Sequence, residues 1–156
     1  MARFLPCARV VAHPDSRRPA ILIAESQPEL RNVLSCVLRD AAYDTALAAD
    51  GIEAVSAVMR MSPDLLVLDL HLARLDGLVA LEVVRALAQD LPVVLISCLA
   101  ASSLGTAAER LGAFAVLRKP FRNAELLDAV ARGLAQRPGA KEDAAAGARE
   151  PLHLAP

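Results

Sequence analysis

The chain has 156 residues, a length that suits one domain with short terminal segments and is too short for two ordinary domains. Hydrophobic residues make up 55% of it and aromatic residues 3%, with no tryptophan, so its core must be aliphatic. The net charge of −1 gives no indication of nucleic-acid binding, and the longest apolar runs are strand-length, which argues against a membrane-spanning helix.

The first segment, residues 1–19, is basic and contains three prolines, with four arginines and one aspartate. We predict a flexible arm here, and no secretory signal, because arginines interrupt its apolar residues.

The cysteines, Cys7, Cys36 and Cys98, have no metal-ligand spacing, which predicts reduced thiols in a cytoplasmic protein. Cys98 is predicted to be a small buried residue, with a position near the strand ends, where its thiol could react with an electrophile, as the alternative.

Apolar runs of strand length alternate with helically spaced apolar residues along residues 20–136. Five strand–helix units in strict alternation predict an α/β fold, with a doubly wound, five-stranded parallel sheet between two layers of helices. The fourth helix, 103–111, is poor in large apolar residues. The predicted strands are 20–24, 43–48, 65–69, 92–97 and 113–117, and the other four helices follow the first, second, third and fifth of them.

Helix starts are indicated by capping residues. Ser26 and Glu29 form a Ser-x-x-Glu capping box before the first helix, whose apolar face is predicted to include Val33. Asn123 is predicted to cap the last helix. Residues 137–156 are rich in Ala, Gly and Pro with balanced charge, which predicts a disordered tail and leaves 20–136 as the folded domain.

Polar residues stand at the ends of four predicted strands. Asp69 ends the third strand, whose run of apolar residues suits burial on both faces, and the carboxyl ends of parallel strands are where such sheets place their chemistry. Glu25, Ser97 and Lys119 end the first, fourth and fifth strands. This set suits transient phosphorylation of Asp69, with a hard divalent cation between the two carboxylates and the hydroxyl and ammonium donating to phosphoryl oxygens.

Six short stretches, each weak alone, resemble in their order and spacing the receiver domain of two-component response regulators. The resemblance covers about residues 20–136 and implies the CheY-like, flavodoxin-like (βα)5 fold. The stretches are 21–25 (ILIAE), 49–54 (ADGIEA), 63–69 (PDLLVLD), 75–77 (LDG), 92–97 (PVVLIS) and 119–121 (KPF).

The resemblance also implies roles for individual residues. Asp69 would be the phosphoacceptor, Ser97 the switch hydroxyl and Lys119 the phosphate-contacting lysine, with a cis bond before Pro120. The ligands of Mg²⁺ would be the carboxylates of Glu25 and Asp69 and the backbone carbonyl of His71. A sensor histidine kinase or a phosphotransfer protein would donate the phosphoryl group, and output would be protein docking on the 103–136 face.

The chain departs from the family pattern at several positions. Ser26 stands where the family has a second acid, which should weaken the Mg²⁺ site. Val116 stands at the aromatic switch position, where valine cannot swing between hydrogen-bonded states. Residues 72–73 are Leu-Ala where the family usually has Met-Pro. His71 and Leu99 flank the site, the former predicted as an exposed loop residue.

These observations leave two functions open. The first is a stand-alone receiver phosphorylated on Asp69, with no nucleic-acid or membrane partner and with a homodimer left open. The second is a degenerate receiver that binds proteins without phosphorylation, which Ser26 and Val116 favour. An enzyme is not expected, because a phosphatase with an aspartate nucleophile usually needs an acid two positions on, where this chain has His71.

Overall fold

The structure is a computed structural model that describes residues 17–98 and 108–137. The predicted arm and tail therefore fall largely outside the described residues, as does most of the predicted 103–111 helix, of which 108–110 are helical. The strands are β1 (Ala20–Ala24), β2 (Asp44–Ala48), β3 (Leu65–Asp69), β4 (Val93–Ser97) and β5 (Ala115–Arg118). The helices are α1 (Pro28–Asp40), α2 (Gly51–Met61), α3 (Gly77–Leu87) and α4 (Asn123–Ala135).

All five strands pair in parallel in one sheet of order β2-β1-β3-β4-β5, which confirms the predicted fold. β5 begins two residues later than the sequence pattern indicates. The strand order reverses between β1 and β3, and ligand crevices of open parallel sheets form outside the carboxyl ends of strands at such a point. Within the described ranges, no helix is long and apolar enough to cross a membrane.

The core lies on both faces of the sheet because strand side chains alternate between them. Leu22 and Leu66 pack in the cluster that includes residues of α2 and α3, whereas Ile21 and Val67 pack in the cluster that includes residues of α1 and α4. β1, β3 and β4 are almost wholly buried. This confirms the prediction, made from the unbroken apolar run at 65–68, that the third strand is covered on both sides.

Three local predictions are wrong. Val33 is 54% exposed, and the buried face of α1 includes Ser35, whose hydroxyl bonds Thr45 on β2 at 2.8 Å and so can leave water. Asn123 lies inside α4, because Arg122 is the N-cap residue and its backbone N–H bonds Glu125 Oε2 at 2.7 Å. Cys98 is exposed, since β4 ends at the residue before it.

Asp64 joins several segments at the edge of the sheet opposite the polar strand ends. Its buried carboxylate accepts hydrogen bonds from the backbone N–H of Ala20 at 2.6 Å and from Arg17 at 3.3 Å. The guanidinium of Arg137, just beyond α4, donates to the other carboxylate oxygen of Asp64, Oδ1. One carboxylate therefore fixes the start of β1 and the points where the described chain begins and ends.

We expect Asp64→Ala to lower the free energy of unfolding by about 2 kcal/mol, because it leaves the Ala20 N–H without its acceptor and both arginines without their partner. Urea unfolding followed by circular dichroism measures this. Asp40→Ala, at an exposed aspartate that ends α1, is the control and should change little. Equal losses in the two variants would contradict the role given to Asp64.

Candidate functional site

Three charged side chains meet where β1 and β3 end. Lys119 Nζ lies 2.6 Å from Asp69 Oδ2 and 2.9 Å from Glu25 Oε2, so one ammonium bridges both carboxylates. Glu25 is 0% exposed and Asp69 3% exposed, and the lysine side chain is mostly buried. The structure thus brings together three of the residues that the sequence predicts for the site.

The sheet topology explains this meeting. β1 and β3 are neighbours in register, with Ala24 opposite Leu68, so the residues that follow, Glu25 and Asp69, come side by side. β5 lies two strands beyond β3, and only a long side chain such as that of Lys119 reaches across β4. The lysine's backbone N–H donates to the carbonyl of Ser97 at 2.7 Å, extending the β4–β5 ladder.

Ser97, the fourth predicted residue, is buried at the end of β4, on the same edge of the sheet. The peptide bond between Lys119 and Pro120 is cis, as the family resemblance implies. Val116 is half-buried on β5 and packs against the core cluster that includes residues of α2 and α3, whereas Leu99 lies outside the described residues.

Burial and hydrogen bonding set the protonation of the cluster. Burial raises the pKa of Glu25, and the adjacent Asp69 carboxyl raises it further. Burial also acts to raise the pKa of Asp69, but hydrogen bonds from Lys119 and from the His71 N–H outweigh it, and the pKa is lowered. Burial acts to lower the pKa of Lys119, yet its bonds to Asp69 and Glu25 leave that pKa raised. Asp69 is therefore kept ionised beside a charged ammonium.

The loop after β3 holds the second oxygen of Asp69. The backbone N–H of His71 donates to Asp69 Oδ1 at 2.9 Å. The imidazole of His71 is exposed, as predicted, with Nδ1 4.0 Å from the same oxygen. Asp69 thus has one oxygen fixed by a backbone amide and the other by an ammonium, which leaves its carboxylate little freedom to rotate.

The predicted capping role of Ser26 is wrong. The N-cap of α1 is Gln27, without a side-chain cap, and the hydroxyl of Ser26 instead donates to the backbone carbonyl of His71 at 3.3 Å. Glu25 Oε1 accepts from the Gln27 N–H at 2.9 Å, so the site carboxylate supplies the local acceptor that Ser26 was expected to supply. A contact with a loop 45 residues away has no local sequence pattern.

Two further residues shape the site. Arg31 on α1 donates to the backbone carbonyl of Glu25 at 2.6 Å and so fixes the loop that carries this carboxylate. Gly77, the first residue of α3, donates its N–H to the carbonyl of Leu70 at 3.0 Å. No space for a side chain exists at Gly77, where an added Cβ would lie against the carbonyl oxygen of Asp69. No sequence motif marks Arg31, and Gly77 is marked only as part of the Leu-Asp-Gly stretch at 75–77.

The oxygen atoms at this edge fit a hard divalent cation. Two carboxylates, those of Glu25 and Asp69, and the nearby carbonyl of His71 are the donor types that Mg²⁺ prefers, and Mg²⁺ is usually held by only one or two carboxylates. No group of three or more His, Cys, Asp or Glu side chains suited to a metal occurs in residues 17–98 and 108–137. Neutral Ser26 does not add a third carboxylate, so Mg²⁺ held by these three groups would keep several water ligands.

Comparison with known proteins agrees with this geometry. Residues 21–131 match the family described as response regulator receiver domain. The chain belongs to this family. It is a receiver domain of the two-component response regulators, as the resemblance of its sequence motifs indicates.

Relatives and solved structures extend the comparison. The receiver is 34% identical over 113 residues to the DNA-binding response regulator MtrA of Mycolicibacterium smegmatis, which covers 72% of this chain and 49% of the relative. It is 36% identical over 124 residues to the response regulator MprA of Mycobacterium avium, covering 80% and 54%. The chain thus spans about half the length of these relatives.

One solved structure bears on the metal. The receiver domain of sensor histidine kinase PA1611 from Pseudomonas aeruginosa has a magnesium ion coordinated in its active site cleft. It is 30% identical to this receiver, with a TM-score of 0.70, and the match covers 76% of this chain and 99% of that one.

Proposed function

We propose that this receiver accepts a phosphoryl group on Asp69 from a histidine kinase or a phosphotransfer protein and signals by docking to another protein. The observation that carries this proposal is the bridging ammonium of Lys119, 2.6 Å from Asp69 and 2.9 Å from Glu25. It keeps Asp69 ionised, and it stands where negative charge gathers when a phosphoryl group arrives.

In the proposed transfer, a carboxylate oxygen of Asp69 attacks phosphorus. The bond between phosphorus and the donor's imidazole nitrogen breaks, and the imidazole leaves with the electron pair and then takes up a proton. Lys119 donates to the phosphoryl oxygens, and Ser97, at the end of the neighbouring strand, supplies the hydroxyl of the switch. The His71 N–H holds the attacking carboxylate in one orientation.

Mg²⁺, where bound, offsets the charge of a phosphate brought next to two carboxylates. We propose that Glu25, Asp69 and the carbonyl of His71 hold it. Its affinity should be lower than in a receiver with a second acid, because Ser26 contributes no charge and its hydroxyl already bonds the His71 carbonyl.

Phosphorylation is proposed to shift the receiver between two states that differ on the 103–136 face. Receivers are signalling modules, and we propose no catalytic turnover for this one. Val116 cannot swing like an aromatic side chain, so coupling between Asp69 and this face would be weaker or would use another residue.

Intact mass after incubation with a small phosphodonor, with and without Mg²⁺, tests this function. We expect a Mg²⁺-dependent phosphoryl adduct on the wild type and none on Asp69→Asn, which keeps the shape of the side chain and removes its nucleophilic charge. An adduct of equal yield on Asp69→Asn would place the chemistry on another residue.

A degenerate receiver is the second candidate, and the Ser26 contact favours it. The hydroxyl of Ser26 supplies no carboxylate to the metal, and it already bonds the His71 carbonyl, one of the three groups proposed as metal ligands. If the folded wild type forms no adduct under any condition, this candidate takes the place of the first.

A further inference from the structure

Most of the large apolar side chains that are exposed in the described residues belong to α2 and α3. On α3 they recur every fourth residue, which places them in one stripe, and on α2 Met59 is 66% exposed. Met59 and Leu87 line one surface cavity of about 690 Å³ between the C-terminal parts of the two helices. We call the surface between them the α2–α3 groove. Of the exposed apolar side chains, Met59 and Leu87 line this groove, and Val79 and Val83 extend the apolar stripe of α3 away from it.

The described chain ends at this groove. Arg137 lines the same cavity, and its guanidinium bonds the buried carboxylate of Asp64. Pro63, next to that aspartate, is also part of the cavity wall. The point from which residues 138–156 continue is therefore held at one end of the groove. Arg17 bonds the same carboxylate but is not part of the cavity lining.

The segment that follows can reach the groove and has the side chains to fill it. Leu152 and Leu154 stand two residues apart, so an extended backbone would place both on one side. Pro151 and Pro156 bracket them and disfavour a helix. The stretch from Arg137 to Leu152 spans up to roughly 50 Å when extended, and an 11-residue helix such as α3 is about 16 Å long.

We propose that Leu152 and Leu154 dock into the α2–α3 groove of their own chain. Tethering makes the contact intramolecular, so a small apolar surface suffices where two separate molecules would need a larger one. The contact lies away from Asp69 and does not depend on phosphorylation. If the two leucines pack against the domain, the tail predicted as disordered at 137–156 would be ordered at these two residues.

Methionine methyl NMR on the full chain tests this proposal, because the chain has three methionines and two of them are on α2. Met59 is in the groove, and Met61, which is not part of the cavity lining, is a control within the same helix. In Leu152→Ser/Leu154→Ser we expect the Met59 methyl resonance to shift and its relaxation by a soluble paramagnetic probe to increase. Met61 should change little.

Three outcomes would overturn the proposal. The first is an unchanged Met59 resonance in the double variant, or equal changes at Met59 and Met61. The second is a Met59 resonance that depends on protein concentration in the wild type, which would assign the groove to a second copy. The third is a shift of Met59 in the matched control Leu5→Ser, which would assign it to the first segment of the chain.

Discussion

Lys119→Met is expected to lower the free energy of unfolding by about 4 kcal/mol at pH 8, the range found when one partner of a buried ion pair is removed. The variant leaves Glu25 and Asp69 side by side and buried, without the ammonium that lies within 2.9 Å of both. Two adjacent carboxylates repel each other more strongly in a buried site than in water, and methionine supplies no donor to either of them.

This loss should shrink in acid. Hydrogen bonds from Lys119 and His71 lower the pKa of Asp69 in the folded protein, against the effect of burial. The ionised Asp69 therefore stabilises the fold above its unfolded pKa of 3.8, and this stabilisation is lost as the pH falls through its folded pKa. The pKa of Lys119 is raised, so its contribution is present below 10.5. Both contributions are therefore present in the wild type at pH 8 and near pH 4. The loss shrinks near pH 4 because the variant can place a proton on Glu25, whose pKa burial raises, and this removes the repulsion between the carboxylates.

Urea unfolding at pH 8 and near pH 4, in EDTA to keep metals away, measures both effects. Glu25→Gln/Lys119→Met is the matched control, because glutamine keeps the acceptor for the Gln27 N–H and removes one of the two charges. We expect it to recover much of the stability lost in Lys119→Met at pH 8. A loss that is the same at both pH values, and that the second substitution does not reduce, would show that repulsion between carboxylates is not its cause.

The sequence predicts the centre of this site for a topological reason. Glu25, Asp69 and Lys119 are far apart in the chain, but each ends a buried strand, and the carboxyl ends of parallel strands meet at one edge of the sheet. Strand ends are visible in the sequence because a run of apolar residues stops at a charged one. The same reasoning placed Ser97 on that edge.

What the sequence missed depends on contacts between segments. Ser26 has the local pattern of a helix cap, but its hydroxyl donates to the backbone carbonyl of His71, in the loop that follows β3. Ser35 is buried in place of Val33 because Thr45 on β2 satisfies its hydroxyl. Hydropathy ranks valine above serine for burial, and only the partner on the sheet reverses that order.

Gly77→Ala is expected to lower the free energy of unfolding by about 3 kcal/mol, at the upper end of the cost of overpacking a core. An added Cβ would lie against the carbonyl oxygen of Asp69 and 2.5 Å from the Cα of Leu70. Both are backbone atoms, so no rotamer change makes room, and α3 or the end of β3 must move. In an ordinary helix, glycine to alanine stabilises by about 1 kcal/mol, so a loss here would come from this contact.

Gly133→Ala is the matched control for Gly77→Ala, because it adds the same methyl group to another buried helical glycine. Its added Cβ would lie 2.7 Å from Leu65 Cδ1, the end of a side chain that can move, so we expect a smaller loss in urea unfolding. Only Gly77→Ala should also reduce the yield of phosphoryl adduct, since displacing the Asp69 backbone moves its carboxylate away from Lys119. Equal losses of stability in the two variants, with adduct yields unchanged, would mean that the close approach at Gly77 does not position Asp69.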